Sequence, residues 1–286
     1  MRWECGEHTI ELSGSPKIMG VLNVTPDSFS DGGRFIEPEV AVQRAHRMIA
    51  DGADIIDVGG ESTRPGANPV PADEQITRIL PVIHALRESR PTVPLSVDTR
   101  LAHVAEAALQ AGASIINDVS ALEDDIGMGK LAAGTGAGLV LMHMRGRPET
   151  RFADPATNQA PAYDDVVAAI KTYLQHRLTA VVALGIDANR LVIDPGFGFG
   201  KNPEQNLTIL SRLDELLELE RPLLVGMSRK RFIGAALAEP IPEERLYGSL
   251  ACVAVAALAG AHIIRVHDVA ESCQVARTCA AIRDAH

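Results

Sequence analysis

The chain has 286 residues, 46% of them hydrophobic and 22% charged, with a net charge of −10. That length suits one α/β barrel better than two small domains, and the composition is that of an ordinary soluble globular protein. The acidic balance argues against a nucleic-acid or membrane-surface partner, so any anionic ligand needs a locally basic pocket.

Arg2 to Leu12 reads as a short β-hairpin with Gly6 or Glu7 in its turn. Lys17 to Asn23 (KIMGVLN) is the first buried strand, followed by a loop of turn formers and a helix from Pro38 to Asp51. The pattern then repeats. Strands are expected at Asp54–Val58, Leu95–Asp98, Ser114–Asp118, Gly138–Met142, Leu191–Asp194, Leu223–Gly226 and His262–Val266. The helices between them are expected to end near Arg90, Ala111, Leu184, Leu219 and Ala259, with a short one after strand four and a last one to Asp284. Short apolar strands alternating with helices imply parallel βαβ units, and eight of them in this length imply a closed (β/α)₈ barrel, a TIM barrel with a short N-terminal β-hairpin. The rival, a doubly wound sheet, usually has fewer units and a glycine fingerprint that is missing here. No linker or low-complexity segment divides the chain, so residues 1–286 read as one domain.

Cys5, Cys252, Cys273 and Cys279 form no CxxC pair and no His-rich cluster, which fits a reducing cytoplasm and neither a zinc site nor a disulfide framework. The first ten residues have no signal-peptide core, and Leu250 to Ala261 is too short and too alanine-rich to span a bilayer. That run is apolar all round, so it must be covered on more than one side, and a partner subunit could supply one cover.

The stretch LVIDPGFGFGK, Leu191 to Lys201, places a carboxylate at the tip of a buried strand, then aromatic rings between glycines, then a lysine. A buried-strand carboxylate is costly unless something binds it. Acid, aromatic and base side by side point to a pocket for a flat, hydrogen-bonding, anionic ligand. Barrel enzymes build their sites from the C-terminal ends of their strands. Here those ends carry Asn23, Asp57, Asp98, Asn117, His143, Asp194, Ser228 to Lys230, Arg265 and His267, with Glu61 to Arg64 after strand two. Asp98, Asn117, Asp194 and Lys230 offer the donors and acceptors needed to read the edge of an aminopyrimidinone. Arg64, Arg265 and His267 offer charge and N–H groups suited to phosphate. Asn23 is an oxygen ligand that Mg²⁺ accepts when a diphosphate supplies the rest.

The motifs IMGVLNVTPDSFSDGG, GADIIDVGGESTRPGA, PLSVDTR, IINDVSA, LMHM, LVIDPGFGFGK, GMSRKRFIG and RVHDV occur in order from about Lys17 to His267. Together they resemble the dihydropteroate synthase family. The resemblance implies a TIM-barrel transferase that joins 6-hydroxymethyl-7,8-dihydropterin diphosphate to p-aminobenzoate, releasing diphosphate and making 7,8-dihydropteroate for folate synthesis. It implies that Asp98, Asn117, Asp194 and Lys230 hold the pterin ring, with Met142 against its face. Thr63, Arg64, Arg265 and His267 would hold the diphosphate, with Asn23 on Mg²⁺, and Val266 would be a further substrate-binding residue. Phe29, Asp31, Pro65 and Phe199 would form the p-aminobenzoate pocket. Asp98, Asn117, Asp194, Lys230 and Arg265 would carry the chemistry, by early departure of diphosphate from a methylene that becomes cationic. The resemblance also implies a homodimer through the C-terminal helices.

Two places depart from the family pattern. Arg231 stands where relatives carry Ser or Arg, and would face the aminobenzoate carboxylate or simply solvent. The stretch between Gly146 and Tyr163 is longer than usual. Three other readings compete: a pterin-dependent methyltransferase barrel, a sulfonamide-insensitive synthase, and a catalytically silent paralogue. A methyltransferase needs no diphosphate grip, and a silent paralogue would be expected to lack Asp98, Asp194, Lys230 or Arg265, all of which are present.

Overall fold

Side chains on a strand alternate between its two faces, and in this chain that alternation separates an inner core from an outer one. The computed structural model describes residues 1–25, 38–62, 66–89, 92–147, 161–239 and 241–285. Strands β1 (Arg2–Cys5) and β2 (His8–Glu11) form an antiparallel hairpin. Eight parallel strands follow: β3 (Lys17–Asn23), β4 (Ile55–Gly59), β5 (Leu95–Asp98), β6 (Ile115–Asp118), β7 (Gly138–Met142), β8 (Leu191–Asp194), β9 (Leu224–Val225) and β10 (Ile263–Val266). They pair in the order β8-β7-β6-β5-β4-β3-β10-β9, and a bridge from Ile193 to Leu223 joins the two ends into a barrel.

The intervening helices are α1 (Pro38–Ala50), α2 (Ala72–Ser89), α3 (Ala102–Gln110), α4 (Ile126–Gly134), α5 (Val166–Ala183), α6 (Pro203–Ser211), α7 (Arg231–Leu237), α8 (Leu246–Leu258) and α9 (Val269–Asp284). They shield the outer faces of the strands. In α1, Ala41, Ala45 and Met48 are the buried residues, spaced to make one inward stripe. Helix α6 starts where Asn202 and Gln205 cap each other and Pro203 fills the first turn. It stops at Ser211, and Leu213–Leu219 continues as 3₁₀ turns. The single helix to Leu219 expected from the sequence is therefore broken. The apolar residues Leu213, Leu216 and Leu219 recur every third position, and all three are buried.

The inner core is small and contains Met19, Ile55, Ile115, Val140, Val192, Leu224 and Ile263 from the barrel strands. The hairpin adds Trp3, Cys5, Ile10 and Leu12 to the same cluster. Its backbone meets the loop before β7, where Gly6 donates to Gly136 O at 2.7 Å. Trp3 Nε1 donates to Arg190 O at 2.8 Å, just before β8. The hairpin therefore closes the N-terminal end of the barrel, and the opposite end is left for a ligand. Among the described residues, no helix is long and apolar enough to cross a membrane.

Candidate active site

Two residues beyond the inner core, the same strands change from apolar to polar. Ile55 leads to Asp57, Ile115 to Asn117, Val192 to Asp194 and Ile263 to Arg265. Alternation makes each of these point inward. Asp98 joins them, because it pairs in register with Asn117 on one side and Gly59 on the other.

Arg265 sits between two carboxylates. Its Nε donates to Asp57 Oδ2 at 2.6 Å and its Nη2 to Asp98 Oδ2 at 2.7 Å. Asn117 Nδ2 donates to the same Asp57 oxygen at 3.0 Å. Burial pushes the Asp98 carboxyl up, against the opposing pull of Arg265, and the neighbouring Asp57 adds to the rise. Burial raises Asp194 as well, countered chiefly by Lys230. Asp194 Oδ1 accepts from Gly196 N at 2.6 Å. Lys230 donates to Phe197 O at 2.5 Å and lies 4.7 Å from the centre of the Phe199 ring. Burial lowers its ammonium to about 8, and Asp194 resists that fall. Three carboxylates (Asp57, Asp98, Asp194) therefore face two cations (Lys230, Arg265) around one opening. This arrangement accepts hydrogen bonds from a polar ring and tolerates positive charge developing on it.

Met142 packs with Val119 and Phe199 in a small apolar cluster, and Met144 lies against it. Asn23 ends β3 half-buried, and its side chain has no partner among the described residues. His267 Nδ1 lies 3.1 Å from Ser228 Oγ. Val266 is buried. Beside His267, a cleft of about 350 Å³ opens between α1 and α9, with Arg44, Arg47 and Asp51 in its lining. Phe29, Asp31, Thr63, Arg64 and Pro65 lie outside the described residues.

Several sequence readings change. Lys201 does not supply charge to a ligand. Its Nζ donates to the carbonyls of Gly196 (2.8 Å), Phe199 (2.9 Å) and His143 (3.3 Å), turning back under the stretch that it closes. The loop needs glycine at two close approaches. A Cβ at Gly196 would sit 2.0 Å from His143 O, and one at Gly200 would sit 2.0 Å from Arg145 O, with φ at +67° and +72°. His143 is a buried neutral ring, held down to about 2 by burial and by Lys201, and edge-on to Tyr173 at 5.0 Å. Arg229 is tied to Asp268, with its Nε 3.0 Å from Oδ2. Arg231 is the exposed first residue of α7. Asp57 was legible only as a polar strand end. The signal for more was its place two residues after Ile55, which turns it into the barrel.

Comparison with known proteins agrees with this geometry. Residues 19–267 match the family model described as pterin binding enzyme. The dihydropteroate synthase of Escherichia coli strain K12 is 48% identical over 269 residues, 94% of this chain and 92% of that one. A Xanthomonas albilineans dihydropteroate synthase solved with 4-aminobenzoic acid is 44% identical, covers 99% of this chain and 98% of its own, and gives a TM-score of 0.90. The Xanthomonas albilineans enzyme in complex with 7,8-dihydropteroate is 41% identical over 99% of each chain, with a TM-score of 0.87. The chain thus belongs to the pterin-binding enzymes and, among them, to the dihydropteroate synthase family.

Proposed function

We propose that the chain joins 6-hydroxymethyl-7,8-dihydropterin diphosphate to p-aminobenzoate. The C–O bond to diphosphate breaks, a C–N bond forms to the aryl amine, and an amine proton is lost as 7,8-dihydropteroate forms. The observation that carries the reading is the convergence of Asp98, Asn117, Asp194, Lys230 and the carboxylate-clamped Arg265 at the open end of the barrel. It gains support from relatives solved with 4-aminobenzoic acid and with 7,8-dihydropteroate.

In this reading Asp98, Asn117, Asp194 and Lys230 hold the ring. Asp98 and Asp194 balance positive charge as the methylene loses diphosphate. Arg265 and His267, with Thr63 and Arg64, hold the leaving group, and Val266 lies among the substrate-binding residues. An aryl amine is already nucleophilic, so the site needs positioning and dryness more than a strong base. Met142 gives the pterin ring an apolar wall, and Phe199, packed beside it, lines the p-aminobenzoate side.

Mg²⁺ belongs to the same proposal. Among the described residues no group of His, Cys, Asp or Glu could cage a metal ion. An ion that keeps several waters and takes its other oxygens from a diphosphate needs little more than the unpartnered Asn23 amide. When bound, it would supply charge neutralisation to the leaving diphosphate. A homodimer is proposed through α8. Tyr247, Val255 and Leu258 are exposed large hydrophobics there, and a second copy of this chain would cover them. Four free buried thiols fit a reducing cytoplasm.

The test is diphosphate release from purified protein with dihydropterin diphosphate and Mg²⁺, with and without p-aminobenzoate. Release that depends on p-aminobenzoate, with dihydropteroate as product, is expected. Ligand binding without turnover would mean a silent relative. No pterin binding would mean that the strand-end residues have been misassigned.

A further inference from the structure

Asp57 lies under the ring site and is fully buried. Only one of its oxygens is used: Oδ2 accepts from both Arg265 Nε and Asn117 Nδ2, at 2.6 and 3.0 Å. A carboxylate oxygen bonded to a guanidinium can only accept, so Asn117 must turn its NH₂ toward it. The chemistry of Asp57 therefore fixes which end of this amide is which, a point that shape alone leaves open. Asn117 Oδ1 is left turned the other way, with no protein partner among the described residues. The same Asp57 oxygen anchors one edge of Arg265 while Asp98 anchors another, so the fork has little freedom to rotate.

We infer that Asp57 is a positioning residue that sets the donor–acceptor sense of the ring site. It holds Asn117 as an acceptor toward the heterocycle and keeps Arg265 in its plane. The inference rests on the pterin reading above, because a pterin carries a ring amino group for which an acceptor is the right partner. A flipped Asn117 would present N–H groups to that amino group and oppose it. The specificity of the opening then depends on a side chain that need not touch the ligand.

Asp57→Ala removes the acceptor that Arg265 and Asn117 share and leaves Asn117 free to turn either way, whereas Asp57→Asn would keep an oxygen toward the donor-only Arg265 and so keep the directionality. The experiment measures calorimetric binding of a pterin and of the same pteridinone lacking the 2-amino group. The unaltered protein is expected to prefer the amino compound. Asp57→Ala is expected to narrow that preference about tenfold, measured at a temperature where the variant is folded. Equal weakening of both ligands would show a merely structural role and overturn the inference, as would an unchanged preference. Should the variant not fold, a neutron structure of the unaltered protein decides: deuterium on the Asn117 atom facing Asp57 is expected, and a bare oxygen there would overturn the inference. Turnover by the unaltered protein is assayed in parallel. Its absence would count against the proposed activity but not against Asp57, whose role is read from binding alone.

Discussion

Lys201 separates two ideas of what a lysine beside an active site is for. Replacing it with Met keeps the stem and removes the ammonium. Its Nζ meets three carbonyl oxygens, of Gly196, Phe199 and His143, in a buried position. A buried acceptor left without a partner costs about 1–3 kcal/mol. Gly196 O also accepts from Phe199 N at 3.1 Å, so two carbonyls lose their partner, at a low-end cost of roughly 2 kcal/mol, and relief from burying an ammonium offsets part of the upper range. Chains somewhat shorter than this one lose about 2–4 °C in melting temperature per kcal/mol, so Lys201→Met should melt roughly 4–8 °C lower. The assay is thermal unfolding of the ligand-free protein, followed by kcat and KM at a temperature where the variant is folded. Catalysis should fall as well, because the braced loop carries Phe197 O and Phe199, the two contacts of Lys230. An unchanged melting temperature with selectively weaker diphosphate binding would refute the brace and restore a ligand role to Lys201.

Pterin binding should weaken as pH rises through about 8, because burial brings Lys230 down to that value from its ordinary 10.5 and only the protonated form is a cation. Lys230→Gln should bind more weakly and lose that alkaline limb, and persistence of the limb in the variant would assign it elsewhere. Trp3→Ala should cost about 3–5 kcal/mol of stability, as large aromatic deletions from cores do. Its KM values should stay within about twofold, since the ring lies in the inner core at the end of the barrel away from the site; a selective rise in KM would contradict that separation. Val255→Glu should shift the protein toward monomer in analytical ultracentrifugation while leaving the barrel folded. An unchanged mass would remove α8 from the proposed interface.

Much of this architecture was legible because strand periodicity is a local property. Leu95–Asp98, Gly138–Met142 and Leu191–Asp194 fall where the apolar runs place them. Since inward-facing residues recur every second position, Asp98, Asn117, Asp194 and Arg265 were bound to meet once the barrel closed. What resisted reading depends on reach and partnership. Lys201 has a long stem, and nothing in its spacing says whether the ammonium bends back under its own loop. Arg229 reads only as a polar strand end until Asp268, from the next strand-to-helix loop, pairs with it. Asp57 looks like any polar strand end until the direction of its hydrogen bonds is known. The break of α6 at Ser211 turns on a change from α to 3₁₀ period that a few leucines signal only faintly.

The ring of strands is not equally strong all the way round. Strands β3 and β4 share five register pairs, whereas β8 meets the last segment through one bridge at Ile193 and Leu223. That bridge includes the bond from Ile193 N to Pro222 O at 2.9 Å. Few hydrogen bonds hold this seam, so amides beside it should be the first in the barrel to exchange with deuterium. Asp194 stands on one side of the seam and Lys230 on the other. A ring that bonds to both would act as a rivet across the weakest joint, and ligand occupancy would be recorded as slowed exchange at Ile193 and Val225.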